Sequence, residues 1–251
     1  MTDTQQEQGY PFRADLVDKA GVTERAFSTV KEFQGDPRWI VKENDNVMDH
    51  EYMEWLGKYE RDREKAGMPP KLSLERFKEE MKGADVMLKK FGGELYDFIP
   101  EHHFVYGANP EGRRKGFVVM KKVTGEDVIK MDKVPLELVP QLEKLIELSI
   151  DFFEKTTEEE TYLGFFPDLF PPSQEGSGGD FGNLMWGDVD GKRGLYLVDT
   201  YPLDPVESVP MLMVDLQEAM ENFERKKGVR FSDGFMENVI DRVSRIKPHG
   251  I

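Results

Sequence analysis

Two charged residues close short apolar runs and are the first candidates for chemistry. Lys42 ends the run RWIVK, and Asp199 ends the run LYLVD. A carboxylate at the end of an apolar strand is costly to desolvate unless some other group uses it. A cap on the following turn would also account for Asp199, and a plain hairpin with a surface lysine would account for Lys42. The residues taken singly are therefore compatible with a chemical role and with a purely structural one.

Asn183 opens the run NLMW, which faces LYLVDTY across the turn sequence GDVDGKRG. Two apolar runs joined by a turn rich in Gly and Asp predict a β-hairpin. The hairpin would begin at Asn183 and end near Asp199.

Composition excludes several classes of chemistry. The chain has no cysteine, so disulfides, thiolate catalysis and cysteine-bound zinc are excluded. His102 and His103 are adjacent, so in a strand they point to opposite faces and do not easily share one metal. A formal net charge of -15 argues against nucleic acid and anionic membranes as partners. The N-terminus is polar and no apolar run approaches the length of a membrane span, so we expect a cytoplasmic protein.

The elements that must position these residues change in character along the chain. Residues 1–11 are predicted to be a disordered tail. The part up to about Val123 has several strand-like runs and one helix at 73–91. The remainder is mostly helical, with a long amphipathic helix whose buried face would include Leu136 and Leu142, followed by the hairpin and two final helices. This pattern predicts an α+β fold with a strand-rich first half.

The order of elements resembles the protein-kinase-like superfamily, in particular the aminoglycoside-phosphotransferase-like and atypical bacterial-type kinases. The resemblance covers nearly the whole chain, although each motif is degenerate. It implies a β-rich N-lobe over 12–122 and a helical, truncated C-lobe over 123–251, with a metal-binding hairpin at 183–201.

The resemblance assigns nucleotide-binding roles to residues of the first half. Lys42 would hold the α and β phosphates of ATP, as the lysine of the VAIK strand does. Gly21 would begin a glycine loop that lacks its later glycines. Glu80 would pair with the lysine, and Met120 would be the gatekeeper. The backbone from Lys121 to Val123 would face the adenine.

The resemblance assigns the metal and the chemistry to the second half. Asn183 and Asp199 would bind Mg²⁺ through oxygen atoms. The H-x-D pattern that carries the catalytic aspartate is missing. Asp168 in PDLFP is the preferred replacement, with residues 172–181 as an inserted loop, and Asp180 in GGDFGN is the alternative.

Two functions follow from these assignments. The first is an ATP- and magnesium-dependent phosphotransferase that acts on a small molecule or on protein hydroxyls. The second is a pseudokinase that binds a nucleotide or a partner without chemistry. The missing glycines and the missing H-x-D pattern favour the second, and the sequence does not decide between the two.

Overall fold

The computed structural model shows a mixed α/β chain with small antiparallel sheets and several helices. It contains two compact units, Met1–Gly83 with Glu101–Lys122 and Ala84–Pro100 with Val123–Ile251. Within the described part of the chain, no helix is both long and apolar enough to cross a membrane. The structure describes residues 22–24, 29–33, 36–43, 86–108, 114–159, 164–169, 180–198, 203–206 and 208–247.

The first unit contains a five-stranded antiparallel sheet in the order β1-β2-β3-β5-β4. Strands β3 and β5 have a partner strand on each side, and the side chains of Val41 and Val119 are fully buried. The strand-like run RWIVK overlaps β3 from Trp39 to Lys42. The strands are β1 Val22–Glu24, β2 Thr29–Glu32, β3 Trp39–Glu43, β4 His102–Ala108 and β5 Arg114–Lys121.

In the described part of the second unit, helices pack with two small sheets. One sheet has the order β6-β8-β9, and the other pairs β7 with β10. The predicted hairpin and the two final helices are confirmed in outline. The strands are β6 Thr124–Asp127, β7 Phe165–Pro167, β8 Leu184–Val189, β9 Lys192–Leu197 and β10 Leu203–Pro205; the helices are α1 Leu138–Glu159, α2 Val209–Lys227 and α3 Phe235–Ser244.

Residues 84–100 group with the second unit, although the sequence places them in the strand-rich half. Residues 86–91 are helical, and a short 3-10 helix follows at Gly93–Phe98. Their apolar side chains join the main core of the second unit, which explains the grouping. The buried members are Leu88, Leu95, Phe98 and Ile99.

The predicted buried face of the long helix is wrong at its first position. Leu136 is 91% exposed, whereas Leu142, Leu145, Ile146 and Ile150 are fully buried. The helix begins at Leu138, whose backbone N–H donates to the Pro135 carbonyl at 3.0 Å. Leu136 therefore lies in the turn before α1, where helical spacing no longer directs its side chain to the core.

The β6-β8-β9 sheet has an apolar side chain layer on each face. Leu184, Trp186 and Leu195 contribute to the main core. Because successive strand residues point to opposite faces, the alternate positions form a second buried cluster. This small apolar cluster consists of Val123, Met185, Tyr196 and Val198.

Candidate functional site

Asp168 and Asn183 come together at the ends of two strands. Asp168 follows β7 directly, and the Leu169 N–H donates to the Pro167 carbonyl at 2.8 Å, which turns the chain there. Asn183 precedes β8, within a turn closed by a 3.2 Å hydrogen bond from the Leu184 N–H to the Phe181 carbonyl. Two local turns thus place side chains that are 15 residues apart in sequence beside each other.

The Asn183 side chain makes two hydrogen bonds to Asp168. Its Nδ2 donates to the Asp168 carboxylate Oδ2 at 2.9 Å and to the Asp168 backbone carbonyl at 3.1 Å. Both acceptors are oxygens, so the amide nitrogen is the atom that must face them. The amide oxygen consequently lies on the side of Asn183 turned away from that carboxylate. This is the atom type that a hard cation binds.

The β8-β9 hairpin returns the chain to Asn183. The Val198 N–H donates to the Asn183 carbonyl at 2.9 Å. Asp199, the next residue in sequence, lies outside the described residues, as do Gly21 and Glu80. The predicted roles of these three residues therefore stay predictions.

A two-residue turn fixes the register of that hairpin. Asp190 and Gly191 have φ values of 51° and 85°, which is the pattern of a type I′ turn. The Asp188 carboxylate accepts the Gly191 N–H at 2.8 Å. With this turn, Leu184 pairs with Leu197 at the far end of the ladder. A slip by one residue would move the apolar layers to the wrong faces.

Asp180, the alternative candidate for the base, has a different environment. Its Oδ2 lies 3.6 Å from the Nζ of Lys226, near the end of α2. The neighbouring Phe181 is buried and meets Phe223 of α2 edge to face, with ring centroids 5.7 Å apart. The structure thus joins Asp180 to α2, and joins Asp168 to Asn183.

In the first unit, Lys42 is a buried lysine in a central strand. It is 6% exposed and pairs across the sheet with Val30 on one side and Val118 on the other. Ile40 pairs with Met120, and residues two apart on a strand share a face. Lys42 and Met120 therefore lie on the same face of the sheet. Met120 is also buried, at 2% exposure.

Lys121 and His103 lie on the other face of that sheet, around Trp39. The Lys121 ammonium sits 4.5 Å from the Trp39 ring centroid, a cation–π contact. The His103 ring lies 5.4 Å from Trp39, and its burial lowers the pKa of the imidazole. The side chain of Lys121 is thus committed to Trp39, on the face opposite Met120.

The backbone at the end of β5 is partly engaged as well. The Lys121 N–H donates to the Glu101 carbonyl at 2.8 Å, and the Lys122 N–H donates to the Arg38 carbonyl at 2.7 Å. These two N–H groups are therefore already used by hydrogen bonds within the first unit.

Sequence reasoning missed the small apolar cluster of Val123, Met185, Tyr196 and Val198. Only Val123 was singled out, and for its backbone. The signal that could have found the cluster is the continuous apolar character of the hairpin, because LMW and LYLV place apolar residues at successive positions. Strands that are apolar throughout are buried on both faces.

No complete metal site is present among the described residues, since no group of three or more His, Cys, Asp or Glu side chains could hold an ion there. Asn183 is an amide, and its predicted partner Asp199 falls outside this part of the chain. The chemistry of the pair, two oxygen donors, nevertheless suits Mg²⁺.

Comparison with known proteins gives little. No protein-family model matches the chain, and no curated protein matches it. Among solved structures 17 chains match. One of these is vaccinia related kinase 3, at 11% identity and a TM-score of 0.38, covering 89% of this chain and 69% of that one. A likeness this slight carries no inference about function.

Proposed function

We propose that the chain is a kinase-like phosphotransferase that uses ATP with Mg²⁺. The observation that carries the proposal is the pair of hydrogen bonds between Asn183 and Asp168. In the kinase pattern, the catalytic-loop Asp accepts the proton of the acceptor hydroxyl, and the Asn of the same loop binds the metal. Here the two residue types meet, although 15 residues separate them in sequence.

The proposed reaction is a transfer of the terminal phosphoryl group. The acceptor hydroxyl oxygen forms a bond to the γ phosphorus, and the bond from that phosphorus to the β–γ bridging oxygen breaks. The hydroxyl proton passes to the Asp168 carboxylate, and ADP leaves. Asn183 holds this carboxylate in one orientation, so that part of the positioning is complete before the acceptor binds.

Magnesium would supply charge compensation for the phosphates when bound. Asn183, through its amide oxygen, and Asp199 are the residues proposed to hold it. The orientation of the Asn183 amide supports this assignment, since its nitrogen is used on Asp168.

Lys42 is proposed to hold the phosphates. It lies on the third of the described strands, and the third strand carries the phosphate-binding lysine in kinases. Met120, on the same face, supports the assignment of this face to the nucleotide.

The small apolar cluster is proposed to be the part of the second unit that contacts the adenine. Val123 was predicted to face the adenine. Met185 packs in the same cluster and follows Asn183 by two residues. A purine ring buries its faces against apolar side chains. The proposed adenine contact Met185 and the proposed magnesium ligand Asn183 are thus two residues apart in the chain.

Asp168→Asn tests the proposal. The variant should lose phosphoryl transfer by at least about a hundredfold, the usual contribution of a general base. Its affinity for MgATP, measured by calorimetry, should stay nearly unchanged, because a base acts on the chemical step. Asp180→Asn is the matched comparison and should keep transfer. The reverse pattern would make Asp180 the base, and loss in neither variant would end both assignments.

A pseudokinase is the second candidate, favoured by the missing glycines, with Ser28 where the last would stand. Nucleotide binding without turnover in the wild type would select this function. A thermal shift with MgATP separates it from a fold that binds no nucleotide, because a ligand specific for the native state raises its stability.

A further inference from the structure

A cluster of basic residues ends α2 and contacts Asp180. Four of the 34 Lys and Arg residues fall within residues 225–230, in a chain whose formal net charge is -15. Cations in the last turn of a helix also complement the helix dipole. The question is therefore which of these side chains do something more.

The three cations of the last turn have different contacts. The Lys227 ammonium donates to the carbonyls of Ile129 and Met131 at 2.6 and 2.7 Å, and so fixes the end of the helix. The Arg225 guanidinium donates to the Asn222 side chain at 2.5 Å, within its own helix. Lys226 instead reaches Asp180.

The ion pair between Lys226 and Asp180 is weak enough for another anion to replace Asp180. The nitrogen and oxygen are 3.6 Å apart, beyond an ordinary hydrogen bond, and the Lys226 side chain is 52% exposed. Exposed pairs of this kind contribute little to stability. The position, in contrast, is well fixed, because Phe223 of α2 packs on Phe181. The Lys226 cation is thus held beside Asp180, which directly precedes the turn that contains Asn183, and its ion pair with Asp180 is weak.

We propose that the acceptor of the phosphoryl group is an anionic molecule, with a carboxylate or phosphate as well as its hydroxyl, and that Lys226 binds this anion in place of Asp180. The proposal rests on the proposed function, since it concerns the acceptor. The acceptor oxygen bonds to the γ phosphorus of ATP, its proton goes to Asp168, and ADP leaves with the electrons of the broken bond.

The net charge of the chain explains why an anionic acceptor would need a cation where it binds. A protein with a net charge of -15 repels an anionic acceptor at long range. The Lys226 ammonium offsets that repulsion where the acceptor docks. Asp180 occupies Lys226 when no acceptor is bound, and would therefore also compete with weakly charged molecules.

Binding of three small probes tests the proposal without any turnover. Glycerol is the neutral probe, glycerate carries a carboxylate, and glycerol 3-phosphate carries a phosphate. In the presence of MgADP, wild-type protein should bind at least one anionic probe more than tenfold tighter than glycerol, by NMR titration. Lys226→Gln should lower that affinity about tenfold, and Asp180→Asn should raise it.

Arg225→Gln is the control, because it removes the same charge from the same helical turn without touching Asp180. Its affinity should stay within twofold of wild type, and circular dichroism should show all variants folded. An equal loss in Arg225→Gln and Lys226→Gln would overturn the proposal, as would wild-type protein that prefers neither anion to glycerol. An unchanged affinity in Asp180→Asn would overturn the exchange.

A turnover measurement separates this proposal from the proposed function. With an acceptor that the wild-type protein phosphorylates, Lys226→Gln should raise the KM for this acceptor. The kcat and the KM for ATP should stay constant. Anion binding that depends on Lys226, in a protein that never transfers phosphate, would refute the phosphotransferase and leave the anion site standing. Phosphoryl transfer that is unchanged in Lys226→Gln would refute the anion site and leave the phosphotransferase standing.

Discussion

The amide of Asn183 joins β8 to the residue that follows β7, because its nitrogen donates to both the carbonyl and the carboxylate of Asp168. Hydrogen bonds to a charged group contribute about 1.5–3 kcal/mol each when they are not fully solvated. The Asn183 side chain therefore holds Asp168 in place. We can predict the direction in which replacing Asn183 changes the free energy of unfolding.

Asn183→Asp would place two carboxylates against each other. At pH 7 we expect the variant to lose about 2 kcal/mol of unfolding free energy, since a donor is lost and a like charge is added. The repulsion raises the pKa of the pair in the folded state above its unfolded value. Stability relative to wild type should therefore recover as the pH falls from 7 towards 4. Denaturant titrations at several pH values measure this.

Asn183→Ala is the matched control, because it removes the donor without adding a charge. Its loss should be about 1–2 kcal/mol and should not recover at low pH. If both variants lose the same free energy at every pH, the Asp168 contact does not hold the loop.

His103 gives the first unit a dependence on pH. Its pKa is lowered mainly by burial, with the charges of His102 and Lys121 acting in the same direction and Glu101 opposing them. The unfolded state therefore binds a proton more readily. Stability should be fully present above about pH 6.5, the unfolded pKa, and should fall as the pH drops through the lower folded pKa. Between pH 5 and 7, the melting temperature of His103→Gln should change less with pH than that of the wild type.

At the scale of elements, the β8-β9 hairpin positions the site through its turn. Gly191 has a φ of 85°, and a Cβ there would meet no atom within 4 Å. Gly191→Ala should therefore cost about 1–2 kcal/mol from backbone strain alone. Asp190→Asn should be neutral or slightly stabilising, since Asn-Gly suits a type I′ turn. Equal melting temperatures for Gly191→Ala and wild type would contradict this.

The elements with a strong pattern could be predicted from the sequence. The hairpin has apolar runs flanking a Gly-rich turn, and the helices have a sustained 3.6-residue period. Strands β7 and β10 have three residues each. A strand this short has no period to detect, and pairing between distant segments creates it. Leu136 was misplaced for a related reason, since an apolar residue at helical spacing does not fix where the helix begins.

The candidate site was predictable only in part. Asp168 and Asn183 could be chosen by residue type, yet their contact depends on two turns that no local pattern specifies. The Lys226–Asp180 pair joins residues 46 apart (226 − 180) and could not be predicted from either segment. Met185 was missed because an apolar residue in an apolar strand has no distinguishing mark.

At the scale of the whole molecule, the two compact units are not two halves of the sequence. Residues 84–100 give the second unit the side chains of Leu88, Leu95, Phe98 and Ile99, all at most 7% exposed. Full burial of such a side chain contributes about 1.5–3 kcal/mol. Four of them together are comparable to the whole stability of a typical domain, about 5–15 kcal/mol.

A fragment of residues 123–251 should therefore fail to fold cooperatively. A fragment of residues 84–251, which restores the four side chains, should show a cooperative thermal transition and ordered aromatic side chains by near-ultraviolet circular dichroism. Leu95→Ala in the longer fragment serves as a graded control, with a loss of about 2–5 kcal/mol. A sharp transition in the 123–251 fragment would show that residues 84–100 are dispensable.

The interleaving of the two units also has a consequence for synthesis on the ribosome. Domains that are contiguous in sequence fold in turn as they emerge. Here the segment that completes the first unit, Glu101–Lys122, is made after part of the second unit has already appeared. Ala84–Pro100 must then wait, with its apolar side chains uncovered, until the long helix and the hairpin are synthesised. The nascent chain thus carries a period of aggregation risk, and chaperone demand should be highest while residues 101–197 are being made.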